Sequence, residues 1–252
     1  MSLLILLSQM VAIVHVLWLR MKTRSVCVRN LESKKVVNVT VEGSSKSDII
    51  YSNRQLDLKQ ENVIHQYMTM LYDEHGFSVK QPTKEQDISG IDVILNRYNK
   101  EYLVDEKAAI KYLTRDLNTF SFELYKAGYR NSVGWFADKN KLTTYYNIIY
   151  PKSFTNDIYN LDSIEAFLLN SKELQEAVFQ EIQKHKIHFD NIEEFMLNQS
   201  SYKGRRYFVI NQYMKLVYSE CIRPEKPINI VINKQYLRDI ACDIFYKDFR
   251  KK

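Results

Sequence analysis

The strongest constraint on the fold is a stretch that has the pattern of two β-strands joined by a short polar turn. Residues 90–95 (GIDVIL) and 101–107 (EYLVDEK) are rich in β-branched, aromatic and other apolar residues, whereas residues 96–100 between them are polar. A chain with this pattern is predicted to form a hairpin, and a hairpin fixes which side chains can meet across its two strands.

Strand alternation places three charged side chains of this hairpin together. Successive side chains point to opposite faces of a strand, so Asp105 and Lys107 project from one face while Glu106 points to the other. Asp92, near the start of the first strand, can meet them across the hairpin. We therefore expect two carboxylates and one amine to converge there.

Two carboxylates and an amine suit the cleavage of a phosphodiester bond. Mg²⁺ is commonly held by one or two carboxylates together with phosphate oxygens and waters, and it acidifies a bound water. A nearby lysine can position that water or stabilise its hydroxide. Acid-x-lysine triplets also occur at residues 32–34 and 57–59, but only Asp105–Lys107 ends an apolar strand with a partner acid thirteen positions upstream.

These residues resemble the two motifs of the PD-(D/E)XK, or restriction-endonuclease-like, nuclease superfamily. Residues 90–93 (GIDV) are similar to the first motif and residues 104–109 (VDEKAA) to the D-x-K motif, with Ile91 in the place of the namesake proline. The resemblance covers roughly residues 57–151. It implies a central mixed sheet flanked by helices, dependence on Mg²⁺ (or Mn²⁺) and a nucleic-acid substrate.

The same superfamily commonly has an acidic residue on the helix that precedes its sheet, and Glu61 fits that description. Glu61 precedes Ile64 by three positions and Met68 by seven, so it shares their stripe on a predicted helix. Its alternative role is to complement the dipole of the first helical turn. Glu123, in a later predicted strand, is either a further acid of the site or a solvated strand residue.

The charge of the chain favours a polyanionic partner. Thirty-six Lys and Arg against 30 Asp and Glu give a net charge of +6, and phosphate contacts with such a surface release counterions. Lys203, Arg205 and Arg206, flanked by Tyr202 and Tyr207, are candidate nucleic-acid-binding residues in a predicted loop. The alternative is an ordinary solvated turn. Three scattered cysteines without a CxxC pair suggest neither a disulfide framework nor a zinc site.

The N-terminal segment has a different character from the rest of the chain. Residues 3–19 are almost entirely apolar, at the short end of what a membrane-spanning helix needs, and basic residues follow at Arg20, Lys22 and Arg24. Three alternatives remain: a membrane helix, an over-extended start of the protein, or a helix packed elsewhere. In each case the basic flank predicts that the bulk of the chain is cytoplasmic.

The remaining pattern predicts the order of the elements. It predicts helices at residues 57–73, 171–184 and 234–246. It predicts strands at residues 35–41, 77–80, 120–125, 132–136, 143–150 and 227–232. We thus expect an α/β (α+β) fold in four parts. These are an apolar segment (1–20), a variable region (21–56), a restriction-endonuclease-like core (57–151) and a C-terminal helical and strand extension (152–252).

Together these observations favour a metal-dependent nuclease, an endonuclease acting on DNA. Asp92, Asp105 and Glu61 are the expected metal residues, with Lys107 acting on the attacking water. The rival interpretations are a nucleic-acid-binding module that has lost catalysis on the same fold, and a membrane-anchored interaction protein in which the acids of the hairpin are coincidental. The oligomeric state does not follow from the sequence.

Overall fold

The structure is a computed structural model. It describes residues 25–29, 36–40, 46–128, 132–220 and 225–251, with side chains from residue 58 onward. The chain divides into two compact units, residues 1–58 and residues 59–252. The predicted apolar segment at residues 3–19 lies outside the described residues. No helix within the described ranges is long and apolar enough to span a membrane.

The first unit contains a small hairpin and the start of a long helix. Strands β1 (Ser25–Arg29) and β2 (Val36–Thr40) pair antiparallel, and the helix α1 (Lys46–Glu74) begins in this unit and continues into the second. The helix therefore starts eleven residues before the predicted Asp57. Its end agrees with the prediction, because Gly76 follows it at φ +75°, a conformation that glycine adopts without strain.

A six-stranded mixed sheet organises the second unit. Its strands are β3 (Ser78–Lys80), β4 (Val93–Arg97), β5 (Lys100–Ala108), β8 (Tyr145–Lys152), β9 (Ser163–Asn170) and β14 (Asp243–Asp248). Their spatial order is β14–β9–β8–β5–β4–β3, and every pair is antiparallel except β5 with β8. A short helix α2 (Lys84–Ile88), capped by Thr83, precedes β4.

A second six-stranded sheet contains the strands β6 (Thr119–Lys126), β7 (Ser132–Val133), β10 (Ser201–Tyr202), β11 (Arg205–Val209), β12 (Met214–Tyr218) and β13 (Pro227–Asn233). Their spatial order is β10–β11–β12–β13–β6–β7, and the sheet is antiparallel throughout. The remaining elements are α3 (Ser171–Lys184), α4 (Ile192–Leu197), α5 (Lys234–Asp239) and 3₁₀ turns at Ile110–Tyr112 and Phe189–Asn191.

Strand β8 is buried on both faces, and this makes the mixed sheet the centre of the second unit. Tyr145 and Ile149 face a cluster that contains the apolar stripe of α1, whereas Tyr146 and Ile148 face a cluster shared with α3 and the second sheet. Because its side chains alternate between two cores, β8 is apolar along nearly its whole length. The expected α+β class, with a mixed sheet flanked by helices, is confirmed.

The hairpin of β4 and β5 closes in the tightest way that antiparallel strands allow. Tyr98 and Asn99 both have positive φ, 53° and 61°, as a two-residue turn of type I′ requires. Strand β4 begins at Val93 rather than at Gly90, so Asp92 precedes the strand, although its backbone N–H donates to the Val104 carbonyl at 2.8 Å. This hydrogen bond extends the register of the hairpin by one residue.

Helix α3 occupies the predicted residues, but the predicted helix at 234–246 is wrong in its second half. Helix α5 ends at Asp239, and β14 follows as an edge strand beside β9. Phe245 is fully buried while Ile244 and Tyr246 are exposed, so burial alternates with period two. The apolar residues here also fit a helical stripe, which is why the sequence pattern did not separate the two structures.

Two other expectations also differ from the structure. The predicted strand at 132–136 shortens to β7, because the chain turns at Gly134. The predicted division between residues 151 and 152 falls inside β8, and β9 and β14 complete the sheet to which β4 and β5 belong. Strands β9, β11 and β12 were not predicted at all.

Gly134 allows the turn that brings the following aromatic residues against β6. A Cβ added there would lie 2.3 Å from the Glu123 carbonyl oxygen, while the Gly134 and Phe136 amides donate to the Leu124 and Glu123 carbonyls at 2.8 and 3.0 Å. Backbone contacts on this scale leave no space for a methyl group.

Replacing Gly134 with alanine is therefore expected to lower the free energy of unfolding by about 2–3 kcal/mol through steric overlap. Gly76→Ala is the control: no atom lies within 4 Å of its added Cβ, so only the positive φ costs free energy, about 1 kcal/mol. Urea denaturation of both variants gives the comparison. Equal losses would contradict the steric explanation.

Candidate functional site

The structure brings Asp92, Asp105 and Lys107 together at the open side of the β4–β5 hairpin. Asp92 Oδ2 accepts a hydrogen bond from the Glu106 amide at 2.7 Å, which fixes its carboxylate beside β5. Lys107 Nζ lies 3.9 Å from Asp92 Oδ2 and forms an ion pair with Asp105 Oδ1. Strand alternation thus positions the three side chains as a single charged cluster.

Asp105 is the buried member of this cluster. It is 1% exposed, and its two carboxylate oxygens are held by two different ammonium groups, Lys107 on Oδ1 and Lys141 on Oδ2, the latter at 2.7 Å. Both lysines reach solvent, with 30% and 19% of their side-chain surfaces exposed. A carboxylate this deeply buried needs such compensation, because desolvation penalises its charge.

Sequence reasoning missed Lys141. It lies in the polar segment that leads into β8, 36 positions after Asp105, with β6 and β7 of the other sheet between them. No spacing rule connects it to the hairpin. The structure places it because Thr143 Oγ1 donates to the Gly90 carbonyl at 2.7 Å, tying this segment to the residues just before β4.

An indole ring completes the wall of the site. Lys107 Nζ and Lys141 Nζ lie 5.5 and 5.8 Å from the centroid of the Trp135 ring, and both are thus within range of cation–π attraction. Trp135 itself packs against Phe122 and Tyr146, with ring centroids 5.7 and 5.5 Å apart. Trp135 thus contacts both the hydrophobic core and the charged cluster.

Burial is the main cause of an unusually high pKa at Asp92. Burial raises the pKa of Asp92 to about 7, with Lys107 opposing the rise and the neighbouring Asp105 carboxyl, to which it is hydrogen bonded, adding to it. Water reaching the side chain, which is 40% exposed, limits the size of this rise. Burial works to lower the pKa of Lys107, but Asp105 and Asp92 raise it overall. The Lys107 amine is therefore charged.

Glu61 acts on this cluster from α1. The residue is exposed, yet its carboxylate is close enough to Lys107 to contribute to the raised pKa of that lysine. Within the described residues, no three His, Cys, Asp or Glu side chains form a group able to hold a metal ion. Glu61 is thus linked to the cluster through its charge interaction with Lys107, and its role as a metal residue stays a prediction.

The opposite face of β5 is anchored to α1 by a polar network that the sequence did not reveal. Glu106 accepts a hydrogen bond from the Tyr72 hydroxyl at 2.6 Å and pairs with His65 Nδ1 at 2.8 Å, and Asn147 Nδ2 donates to the same Tyr72 hydroxyl at 2.6 Å. Burial and the Glu106 carboxylate raise the pKa of Tyr72 well above its usual range, so its hydroxyl stays protonated. The network fixes the residue whose amide holds Asp92.

The predicted nucleic-acid-binding residues lie in the β10–β11 hairpin, away from this cluster. Lys203 and Arg205 are exposed, but the Arg206 guanidinium bonds Glu220 Oε2 at 2.9 Å and the carbonyls of Leu197 and Gln199 at 2.6 Å each. Those contacts engage Arg206 in stabilising its own loop. Trp135, which lines the cluster, packs against Phe122 of β6. Strand β11 is three strand spacings of ~4.8 Å away from β6 in the second sheet.

Glu123 is not part of the cluster. It belongs to β6 of the second sheet and forms an ion pair with Lys126 at 3.2 Å. Of the two alternatives for this residue, the structure places it in a strand, in a local ion pair.

Asp92 and Asp105 are the two carboxylates of the cluster that could share a divalent cation, and phosphate oxygens and waters are the usual remaining ligands of Mg²⁺. Both oxygens of Asp105 are paired with ammonium groups, so a cation would have to compete with a lysine for this carboxylate. Asp92 and Asp105 are thus the residues that would hold the ion.

Comparisons of this chain with protein-family models, with curated proteins and with solved structures found no match.

The raised pKa of Asp92 predicts how stability depends on pH in the metal-free protein. Between about pH 4 and pH 7 the folded state retains a proton that the unfolded state has lost, so this residue makes stability fall as pH rises. Asp92→Asn removes the titration but keeps an oxygen for the Glu106 amide. We expect the variant to gain thermal stability relative to the parent at pH 8, and to gain less at pH 5. A difference in melting temperature independent of pH would contradict this.

The network behind β5 predicts a second stability effect. Tyr72→Phe leaves Glu106 Oε1 and Asn147 Nδ2 without their shared partner in a buried position, which is expected to cost about 1–3 kcal/mol of unfolding free energy. Tyr98→Phe, at a residue 92% exposed, should change stability by less than ~0.5 kcal/mol. Chemical denaturation measures the free energy of unfolding of both variants. A Tyr72→Phe protein as stable as the parent would show that the network does not support β5.

Proposed function

We propose that this protein is a metal-dependent nuclease that hydrolyses phosphodiester bonds of DNA. The observation that carries the proposal is the convergence of Asp92, Asp105 and Lys107 at one side of the hairpin, with the Asp105 carboxylate buried between two ammonium groups. Two adjoining carboxylates and a charged lysine are a minimal set for hydrolysing a phosphate ester.

Each residue has a role that follows from its position. Asp92 and Asp105 would hold Mg²⁺, which when bound supplies positive charge to acidify water and neutralise the phosphate. Lys107, charged and within 4 Å of both carboxylates, orients the attacking water and stabilises its developing negative charge. Glu61 acts through Lys107 by helping to keep that amine protonated.

The substrate class rests on charge and on the resemblance to restriction-endonuclease-like enzymes. A net charge of +6 favours phosphate-rich partners, and an exposed lysine and arginine on the β10–β11 hairpin offer further phosphate contacts. The antiparallel β3–β4–β5 meander with β8 parallel to β5 supports the mixed sheet that the resemblance implies. We accordingly propose a restriction-endonuclease-like core here.

One observation favours a second candidate, a nucleic-acid-binding module without catalysis. Both Asp105 oxygens are already paired with lysines, so the cluster is electrostatically satisfied as a structural ion network. A binding module would retain DNA affinity and leave DNA intact with Mg²⁺ or Mn²⁺, so a cleavage assay separates the two functions.

Asp105→Asn and Lys107→Gln are expected to abolish cleavage of plasmid DNA while the protein remains folded. The first removes a metal ligand, and the second removes the group that activates water, a loss of ~10²–10⁴-fold in rate. DNA affinity in EDTA should hold or rise for Asp105→Asn, because a negative charge is removed from a polyanion-binding site. Cleavage rates and gel shifts at fixed salt provide the measurements.

A matched control uses another acid–lysine pair. Asp116→Asn and Lys152→Gln break an ion pair on the far part of β8 and should leave cleavage unchanged. If the variants at positions 105 and 107 cut DNA as fast as these controls, the hairpin cluster is not the active site.

A further inference from the structure

Lys141 gives the cluster one more cation than the proposed chemistry requires. Lys107 pairs with Asp105 Oδ1 and lies 3.9 Å from Asp92 Oδ2, whereas Lys141 pairs with Asp105 Oδ2 at 2.7 Å. With 19% of its side-chain surface exposed, Lys141 is at the boundary between the buried carboxylate and solvent. Its position requires either a purely structural role or a role toward the substrate.

Space around Lys141 is kept open by the adjacent glycine. A Cβ at Gly90 would lie 3.0 Å from Lys141 Nζ and 3.1 Å from its Cε, closer than ordinary van der Waals contact. Gly90 also has φ +87°, a conformation that disfavours other residues. Gly90 thus leaves room for the end of the Lys141 side chain beside the carboxylates.

We propose that Lys141 is a substrate-binding residue that contacts a phosphate of the nucleic acid and, in the free protein, is held on Asp105. A lysine is suited to this exchange because it is a point charge on a flexible four-carbon chain. When a phosphate enters, the ammonium moves from the buried carboxylate to the anionic oxygen and leaves Asp105 Oδ2 to the divalent cation. This inference rests on the proposed nuclease function.

The charge balance of the cluster gives the physical reason for the exchange. Two ammonium groups already balance the carboxylates of Asp92 and Asp105, so a divalent cation entering alone would leave an excess of positive charge at a partly buried site. A phosphate that draws Lys141 away removes this excess. Removing Lys141 should therefore weaken nucleic-acid binding but strengthen metal binding in the absence of nucleic acid, two effects of opposite sign.

The chain offers a closely matched control for the loss of such a lysine. Glu165, with a 12% exposed side chain, is held by Lys234 on Oε2 at 2.5 Å and by Arg238 on Oε1, the same double pairing that Asp105 has. Lys234→Gln breaks an ion pair of similar burial away from the cluster. It measures what a purely structural role of this kind contributes.

The first measurement is the affinity of the full-length protein for a labelled 30-base-pair DNA in the presence of Ca²⁺, so that a divalent cation can replace Lys141 on Asp105, over a range of salt concentrations. Lys141→Gln is expected to bind about fivefold more weakly, with the slope of log affinity against log salt reduced by about 0.9, as for one lost phosphate contact. Lys234→Gln should match the parent. A Lys141→Gln protein with the affinity and slope of Lys234→Gln overturns the proposal, as does a parent protein that does not bind DNA.

The second measurement is Mn²⁺ binding to the metal-free protein without DNA, followed by electron paramagnetic resonance. Lys141→Gln should bind Mn²⁺ about tenfold more tightly, because a positive charge beside Asp105 is removed. A structural role would instead leave metal affinity unchanged or lower it through local disorder, and either result overturns the proposal.

A double variant controls for misfolding of Lys141→Gln alone. Asp105→Asn combined with Lys141→Gln removes both charges of the ion pair, so no uncompensated carboxylate remains buried. The slope of log affinity against log salt should be smaller by about 0.9 in the double variant than in Asp105→Asn alone. Equal slopes in the two variants would reject the phosphate contact. None of these readouts requires cleavage. The proposed nuclease function fails separately, if the parent leaves DNA uncut with Mg²⁺ and Mn²⁺.

Discussion

The electrostatic balance around the buried carboxylate of Asp105 is the constraint on which the candidate site depends. A carboxylate that is 1% exposed is strongly penalised unless its charge is compensated, and here two lysines from distant parts of the chain supply that compensation. Lys107 comes from the same strand, whereas Lys141 comes from the segment before β8. The hydrogen bond from Thr143 to the Gly90 carbonyl ties that segment to the residues just before β4 and so brings the two lysines together.

The two faces of β5 have different roles in this site: one carries the charged residues, and the other fixes the strand to α1. One face carries Asp105 and Lys107 beneath the Trp135 ring, and the other carries Glu106, which is fastened to α1 through Tyr72. Since the Glu106 amide also holds Asp92, contacts on the helix side determine where a carboxylate stands on the charged side. Buried, hydrogen-bonded supporting residues of this kind give a site its precision.

The hairpin and its charged residues were predictable because they depend on local rules. Alternation fixes the faces of Asp105 and Lys107, and a polar turn between apolar strands fixes their register with Asp92. Lys141, Tyr72 and His65 could not be predicted as parts of the site, because tertiary packing brings them there from other elements. The helix at 234–246 was wrong for the related reason that pairing with β9 decides the structure of its second half, where both periodicities fit.

The same charge balance connects the fold to the chemistry. Lys107 and Lys141 both pair with the Asp105 carboxylate, while burial raises the pKa of Asp92. In the proposed nuclease, a divalent cation on Asp92 and Asp105 would compete with Lys141 for Asp105, and a substrate phosphate would attract the ammonium group that the cation displaces. Under that proposal the cation and the substrate would each favour binding of the other, and the ion network around Asp105 would take part in recognising a phosphodiester.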